Sequence, residues 1–278
     1  VSVDPSSYVA STAVVHPDSH IGPQCHIGEY CVIERDVVIG RQCRLEPHVY
    51  VKRFTTLGDE NEISAGTALG TDPLDKNFSG ERSYLRIGSR NRIREYFTIS
   101  RGTQPESCTI LGDGNYIMTS GHIAHNAVVG SDTVIASCSL VSGYVEVGDR
   151  AFISGGVVIH QYSKIGKLAM IGGNTRINMD VPPYFLGVGF NVEAVGPNLV
   201  GMKRAGMSIA DVRSVKRAFR VLYWSGLQRA EALEHLETGE DADAITQEIA
   251  AFIRNSKRGI CWARRKKRGR ETSEGPEV

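Results

Sequence analysis

The sequence predicts a mainly β fold, a parallel β-helix of hexapeptide repeats followed by a C-terminal α-helical domain. Three observations predict it. The first is a strict six-residue period. Residues 3 to 177 taken in steps of six give 30 positions, and all but Asp75, Glu81 and Pro105 are Val, Ile or Leu. Neither a helix nor an isolated strand generates that period, whereas a hexapeptide β-helix does. The second is a period of eighteen, carried by Gly22, Gly40 and Gly58 and then by Gly112, Gly130, Gly148 and Gly166. Three hexads therefore complete one turn of a triangular prism. The third is the loss of the pattern at Val181-Pro182-Pro183, after which helical spacing begins.

Taken in order, the repeat positions run from Val3 through Leu69, resume at Ile87, Ile93 and Ile99, and continue from Leu111 to Ile177. The aliphatic side chains stack in ladders inside the prism, with coils about 4.8 Å apart, and each coil is stabilised by its neighbours. The glycine row marks one corner, read here as a place needing backbone angles that other residues adopt at a cost. Cys25, Cys31 and Cys43 fall two residues before a repeat aliphatic, a slot held elsewhere by Ser7, Ala13, Ala127 and Ser139. They read as small buried fillers. The failed positions mark excursions: a polar loop over 71–86 and a second from Gly102 to Ser107. Loops leaving a rigid scaffold often carry function.

Beyond the repeat, Ser208 reads as the N-cap of a helix whose apolar face is Ile209, Val212, Val215, Phe219 and Leu222, with Gly226 as its stop. A second helix is expected from Ala244 to Ile253. Both would cover the open end of the prism. The domain reading is a β-helix over 1–190, a helical domain over 191–262 and a disordered charged tail over 263–278, which includes Arg264, Arg265, Lys266, Lys267, Arg268 and Arg270.

Composition narrows the function classes. With 32 basic and 31 acidic residues, the chain has no overall field suited to nucleic acid. No apolar run approaches the roughly 20 residues of a membrane span. The segment Val1-Ser2-Val3-Asp4 has no basic or apolar leader character. The six cysteines contain no Cys-x-x-Cys pair and fit no zinc spacing. The expectation is a cytoplasmic protein with reduced thiols and no cofactor or metal.

Chemistry concentrates in Gly121-His122-Ile123-Ala124-His125-Asn126. Ile123 points inward, so His122 and His125 belong to the outer surface or an edge. Residue 161 is two turns of eighteen beyond residue 125. Gln161 therefore stacks above His125 with Gly143 between them, and His160 adjoins Gln161. Such an edge suits acyl transfer. A neutral imidazole removes a proton from an attacking hydroxyl, and the glycine leaves a backbone N–H open to an oxyanion. Histidines that merely fill coil corners are the alternative. A zinc site from His122, His125 and His160 is disfavoured, because residues three apart on an extended turn diverge and His160 is two coils away.

Several segments together resemble the acyl-[acyl-carrier-protein]–UDP-N-acetylglucosamine O-acyltransferases. They are 88–95, 100–103, 121–126, 160–161, Asp-Val-Pro-Pro-Tyr (180–184) and Gly-Met-Lys-Arg-Ala-Gly (201–206). The resemblance spans nearly the whole chain. It implies a left-handed β-helix and a homotrimer with active sites between subunits. It also implies transfer of a 3-hydroxyacyl group from acyl carrier protein to the glucosamine 3-hydroxyl, the first step of lipid A synthesis. It makes His125 the catalytic base and Gly143 the oxyanion donor, with Asn126 beside the base. His122, His160 and Gln161 become site lining, Lys76, Asn198 and Arg204 substrate-binding residues, and Gly173 the floor that limits acyl length. The chain departs from the family where Asn126 stands for Asp, Tyr144 for histidine, and Leu74 and Val200 for acidic residues. These departures leave open an N-acyltransferase acting on a 3-amino UDP-sugar, and a non-catalytic scaffold remains a third reading.

Overall fold

The computed structural model describes residues 2–264. The hexads form a left-handed parallel β-helix. Its first sheet starts at Ser2–Val3, its second at Tyr8–Val9 and its third at Val14–Val15; they contain nine, twelve and nine strands. In the uninterrupted coils each strand pairs with the one three hexads later, as in Val3↔Ile21 and Ile21↔Ile39. Most prism strands are two residues long, the first pointing out and the second in. Val128 is exposed and Val129 is buried, and the pattern repeats at Leu140 and Val141. Ladder residues such as Ile123 and Ile159 are fully buried. A charge there would be desolvated without a partner. Val3, Val9 and Val15 are only partly buried, since no coil stacks beneath them.

The two excursions consist of whole hexads. Leu57 pairs with Ile87 and Ile87 with Leu111, separations of thirty and twenty-four residues. Against a turn of eighteen, the first coil holds twelve extra residues and the second six. These match the failed positions Asp75 and Glu81 in one and Pro105 in the other. Because each insertion is a whole number of hexads, the ladder resumes in phase. The first loop is shorter than the sequence suggested. Strands Ala68–Thr71 and Tyr84–Ile87 extend into it, leaving 72–83 outside the sheets.

The glycine corner exists for a different reason from the expected one. Gly22, Gly40 and Gly58 do not adopt left-handed angles; a Cβ on Gly22 would instead lie 2.8 Å from the Gly40 carbonyl carbon. The row permits close stacking of successive coils. Positive φ falls on non-glycine corner residues at a spacing of six, including Gln24, Asp36, Asn126 and Tyr144. The slot of Cys25 and Cys43, both buried and unpaired, continues upward as Asn61, Asn91 and Asn115. There Asn91 donates from its backbone and side chain to Asn61 Oδ1, and Asn115 does the same to Asn91.

The C-terminal part covers the last coil. Strands Phe185–Val188 and Glu193–Pro197 extend the second sheet as a hairpin. Helices α1 (Leu199–Arg204), α2 (Ile209–Trp224), α3 (Arg229–Thr238) and α4 (Ala244–Arg254) follow. Ser208 caps α2 in a capping box with Asp211. Phe219 of α2 packs edge-on against Phe185, with ring centroids 5.0 Å apart. Buried Asp180 joins the two parts by accepting from Lys164 N at 2.7 Å and from Ser256 Oγ at 2.6 Å. Helices α1 and α3 were not anticipated. The sequence of α3 offers few apolar positions at helical spacing, with only Ala232, Leu233 and Leu236 buried. Residues 193–197 form a strand inside the region read as helical. The expected tail begins within the fold, where Trp262–Ala263 pairs with the Glu193 strand and Arg264 meets Glu193 at 2.9 Å. The tail residues 265–278 lie outside the described residues.

Candidate active site

One edge of the prism, where the third sheet turns into the first, gathers the chemistry. The corner after strand His122–Ile123 carries His125 and Asn126. The next coil places Gly143 there, and the one above it Gln161. Tyr144 N donates to His125 O and Tyr162 N to Gly143 O, each at 3.1 Å, so the stacking of residues 125, 143 and 161 is explicit in the hydrogen bonds. Both insertions leave from this same edge, one and two coils below His125, because each follows a third-sheet strand and precedes a first-sheet strand.

The His125 ring lies against Gly143. A Cβ on that glycine would sit 2.5 Å from His125 Cε1, so no other residue fits without moving the imidazole. Among the described residues the Gly143 N–H has no hydrogen-bond partner. On its other side, His125 Nδ1 is 3.1 Å from Asn126 Oδ1. Asn126 Oδ1 also accepts from Thr103 N at 3.0 Å and from Thr103 Oγ1 at 2.9 Å. A backbone N–H only donates, so the oxygen rather than the nitrogen of the Asn126 amide faces it. His125 Nδ1 must then be the protonated nitrogen, and Nε2 keeps its lone pair. Tyr144 meets the His125 ring edge-on at 5.4 Å and stacks on Tyr162 at 4.9 Å.

His122 sits one strand inward. Its Nδ1 is 2.7 Å from Thr98 Oγ1, while Nε2 is buried without a partner. Burial lowers its pKa below the ordinary 6.5. His122 is therefore a neutral hydrogen-bonding group at neutral pH. His160 is exposed at the edge, its Nδ1 3.0 Å from the Gln161 carbonyl, which also accepts from Arg258 Nη1 at 3.2 Å.

The other residues suggested by resemblance lie elsewhere on this chain. Lys76 is exposed in the first loop and makes no ion pair among the described residues. Gly173 occupies a different edge, between the second and third sheets, with room for a Cβ: its nearest neighbour would be Gly155 O at 3.5 Å. Asn198 is buried as the N-cap of α1. Its Oδ1 accepts from Gly201 N and its Nδ2 donates to Leu168 O, both at 2.9 Å. Arg204 is exposed in the last turn of α1. Thr98 and Thr103 were missed as contacts. Thr98 was within reach of the register, because Thr98 pairs with His122 across the six-residue insertion. Thr103 lies inside that insertion, where the repeat says nothing.

Comparison with known proteins identifies the family. Residues 180–261 match the family model described as UDP N-acetylglucosamine O-acyltransferase, domain 2. An acyl-[acyl-carrier-protein]–UDP-N-acetylglucosamine O-acyltransferase of Verminephrobacter eiseniae is 42% identical over 264 residues, 93% of this chain and 98% of that protein. One from Gloeothece citriformis is 38% identical over 208 residues, 75% of each. Among solved structures, the UDP-N-acetylglucosamine acyltransferase of Bacteroides fragilis superposes with a TM-score of 0.88 at 34% identity, covering 91% of this chain and 99% of the other. With its prism, its histidine edge and relatives matching nearly end to end, the chain belongs to the acyl-[acyl-carrier-protein]–UDP-N-acetylglucosamine O-acyltransferase family.

Proposed function

We propose that the chain transfers a 3-hydroxyacyl group from acyl carrier protein to the 3-hydroxyl of UDP-N-acetylglucosamine, opening lipid A synthesis. His125 Nε2 removes the hydroxyl proton as the oxygen attacks the thioester carbonyl. The resulting oxyanion is held by the Gly143 N–H. When the intermediate collapses, the C–S bond breaks, and the leaving thiolate takes the proton back from the imidazolium. The observation carrying this reading is the contact of His125 Nδ1 with Asn126 Oδ1 at 3.1 Å, which calls for a proton on Nδ1 and leaves Nε2 free, with the Gly143 N–H beside the ring.

Asn126 favours one second reading. An amide orients the imidazole but does not offset its positive charge. A 3-amino UDP-sugar, whose neutral amine needs less help from a base, is the alternative acceptor.

A homotrimer follows from the same proposal. Lys76 in the first loop, Gly173 on another edge and Arg204 on α1 are apart in one chain, so a site using all of them draws on neighbouring subunits. The outward rows flanking the His125 edge suit such packing. Apolar side chains stand in the outward rows of all three sheets: Val14, Val32, Leu140 and Val158 on the third, Val38, Ile110 and Val128 on the first, and Tyr116, Val134, Phe152 and Met170 on the second, whose earlier coils present Arg44, Glu62 and Arg92. An acidic carrier protein fits Arg213, Lys216 and Arg220, exposed at helical spacing on α2 and without ion pairs among the described residues. No helix among the described residues is long and apolar enough to cross a membrane. The six unpaired cysteines suit the reducing cytoplasm.

The test is product mass spectrometry with 3-hydroxyacyl carrier proteins and both the hydroxyl and the amino sugar nucleotide. Wild-type protein is expected to acylate the hydroxyl sugar, and His125→Ala to lose at least about 10²–10⁴-fold in kcat/KM. Full activity in His125→Ala would remove the base assignment, and exclusive use of the amino sugar would select the second reading.

A further inference from the structure

We propose that Thr103 and Tyr144 are positioning residues for His125, acting through Asn126, and that the 102–107 insertion serves to deliver Thr103 to that task. The inference rests on His125 being the base, and it names what holds the base in its working tautomer.

The directions of the hydrogen bonds follow from proton counting. Asn126 Oδ1 is fixed as an acceptor by the Thr103 N–H. Thr103 Oγ1, 2.9 Å away, must therefore give its single proton to that oxygen. The Thr103 hydroxyl then has only a lone pair for Tyr144, whose OH lies 3.0 Å away and donates. The chain runs one way, from Tyr144 to Thr103 to Asn126, and His125 Nδ1–H donates to the same amide oxygen from the other side. Where a carboxylate could accept from His125 with either oxygen, an amide has one productive orientation, and here two donors from one residue enforce it.

The surroundings hold the parts in place. Thr103 is 4% exposed. Its loop is closed by Gln104 N donating to Ser107 Oγ at 2.9 Å and Ser83 Oγ donating to Gly102 O at 2.6 Å. Asn126 N donates to Thr109 Oγ1 at 2.8 Å. The Tyr144 ring is held between His125 and Tyr162. Loop, corner and aromatic stack thus converge on one amide.

The test uses the full chain and two kinds of measurement. Nitrogen NMR of histidine-labelled protein, with His125 signals identified by their absence in His125→Gln, reads the tautomer without substrate. Wild type is expected to show His125 protonated at Nδ1. Thr103→Val should move it toward a mixture, and Thr103→Ser should restore it. In turnover on the preferred acceptor, Thr103→Val is expected to lower kcat about 10-fold, with Thr103→Ser near wild type. Tyr144→Phe should cost less, and nothing further once Thr103 is Val, because its hydroxyl acts through Thr103. A wild-type His125 protonated at Nε2, a Thr103→Val protein with unchanged tautomer and rate, or a Tyr144→Phe effect that adds in full to Thr103→Val would each overturn the proposal. The NMR result stands apart from the functional reading: an inactive wild type with the expected tautomer would count against that reading and leave the hydrogen-bond assignment around Asn126 supported.

Discussion

Residues 72–83 and 102–107 leave the prism at the same edge, one coil apart, and meet different fates. The middle of the longer loop bonds to itself, as in Asn77 N to Asp75 Oδ1 and Ser79 to Glu81. It turns Leu74, 84% exposed, and Lys76 outward. Its anchor is electrostatic. Asp72 lies 2.9 Å from the fully buried Arg101 and 3.0 Å from Lys52, and Phe78 and Phe54 flank the Arg101 guanidinium. The shorter loop turns inward and places Thr103 on Asn126. The comparison teaches that two insertions of the same kind can be divided between reaching outward and arranging the chain's own catalytic corner.

The most severe way to break the inward side is Gly143→Ala. The new Cβ would press on the His125 ring, and Asn126, held by Thr103, gives the ring no easy retreat. We expect a loss of about 10²-fold in kcat/KM, the scale of a 1 Å misplacement. The melting temperature should hardly change, because the clash falls on a side chain rather than on backbone. Steady-state kinetics with parallel calorimetry checks the split, and a large loss of stability with intact kinetics would contradict it.

Breaking the anchor of the outward loop should do the reverse. Asp72→Asn leaves Arg101 buried without its counter-charge. As Asp72 is itself half-exposed, the cost is discounted to about 1–2 kcal/mol. Burial alone would raise the Asp72 carboxyl, but Lys52, Arg101 and Arg53 outweigh it and hold the pKa below the usual 3.8. A carboxyl lowered on folding stabilises above its unfolded pKa, and that contribution is lost as pH falls through the folded value. Wild type should therefore lose stability relative to Asp72→Asn at pH below about 4, and the gap between them should close. Thermal unfolding from pH 7 to pH 3 measures this; a constant gap would show that the pair contributes nothing through its charge.

This division was partly legible beforehand, and the limits are physical. The prism was legible because its period is local and every coil repeats the same demand for a buried aliphatic. The sizes of the insertions were legible too: Asp75, Glu81 and Pro105 each mark one displaced hexad. Stacking of residues 125, 143 and 161 followed from arithmetic on an eighteen-residue turn. The glycine row was located but misread, since sequence does not distinguish a residue needing unusual angles from one that must leave room for the next coil. Thr103 and Arg101 escaped because their partners depend on how an insertion folds back. Helix α3 escaped because three buried side chains make a weak stripe. Asn198 was reached only through resemblance, and its polar atoms prove to be occupied, Oδ1 in capping α1 and Nδ2 on Leu168 O.

Lys76→Ala is the mildest intervention and separates the loops most cleanly. Lys76 is exposed and makes no ion pair among the described residues, so removing it should leave unfolding unchanged. If the outer loop contributes to binding, the substitution removes one screened contact to an anionic substrate. The KM for the sugar nucleotide should rise about 5-fold, equivalent to about 1 kcal/mol, with kcat within a factor of about two. A loss of binding common to ground state and transition state has that signature, whereas disorder at Asn126 lowers kcat. Opposite movements of KM and kcat in Lys76→Ala and Thr103→Val would assign substrate capture to one insertion and alignment of the base to the other. A fall in kcat for both would mean that the two loops work as one unit.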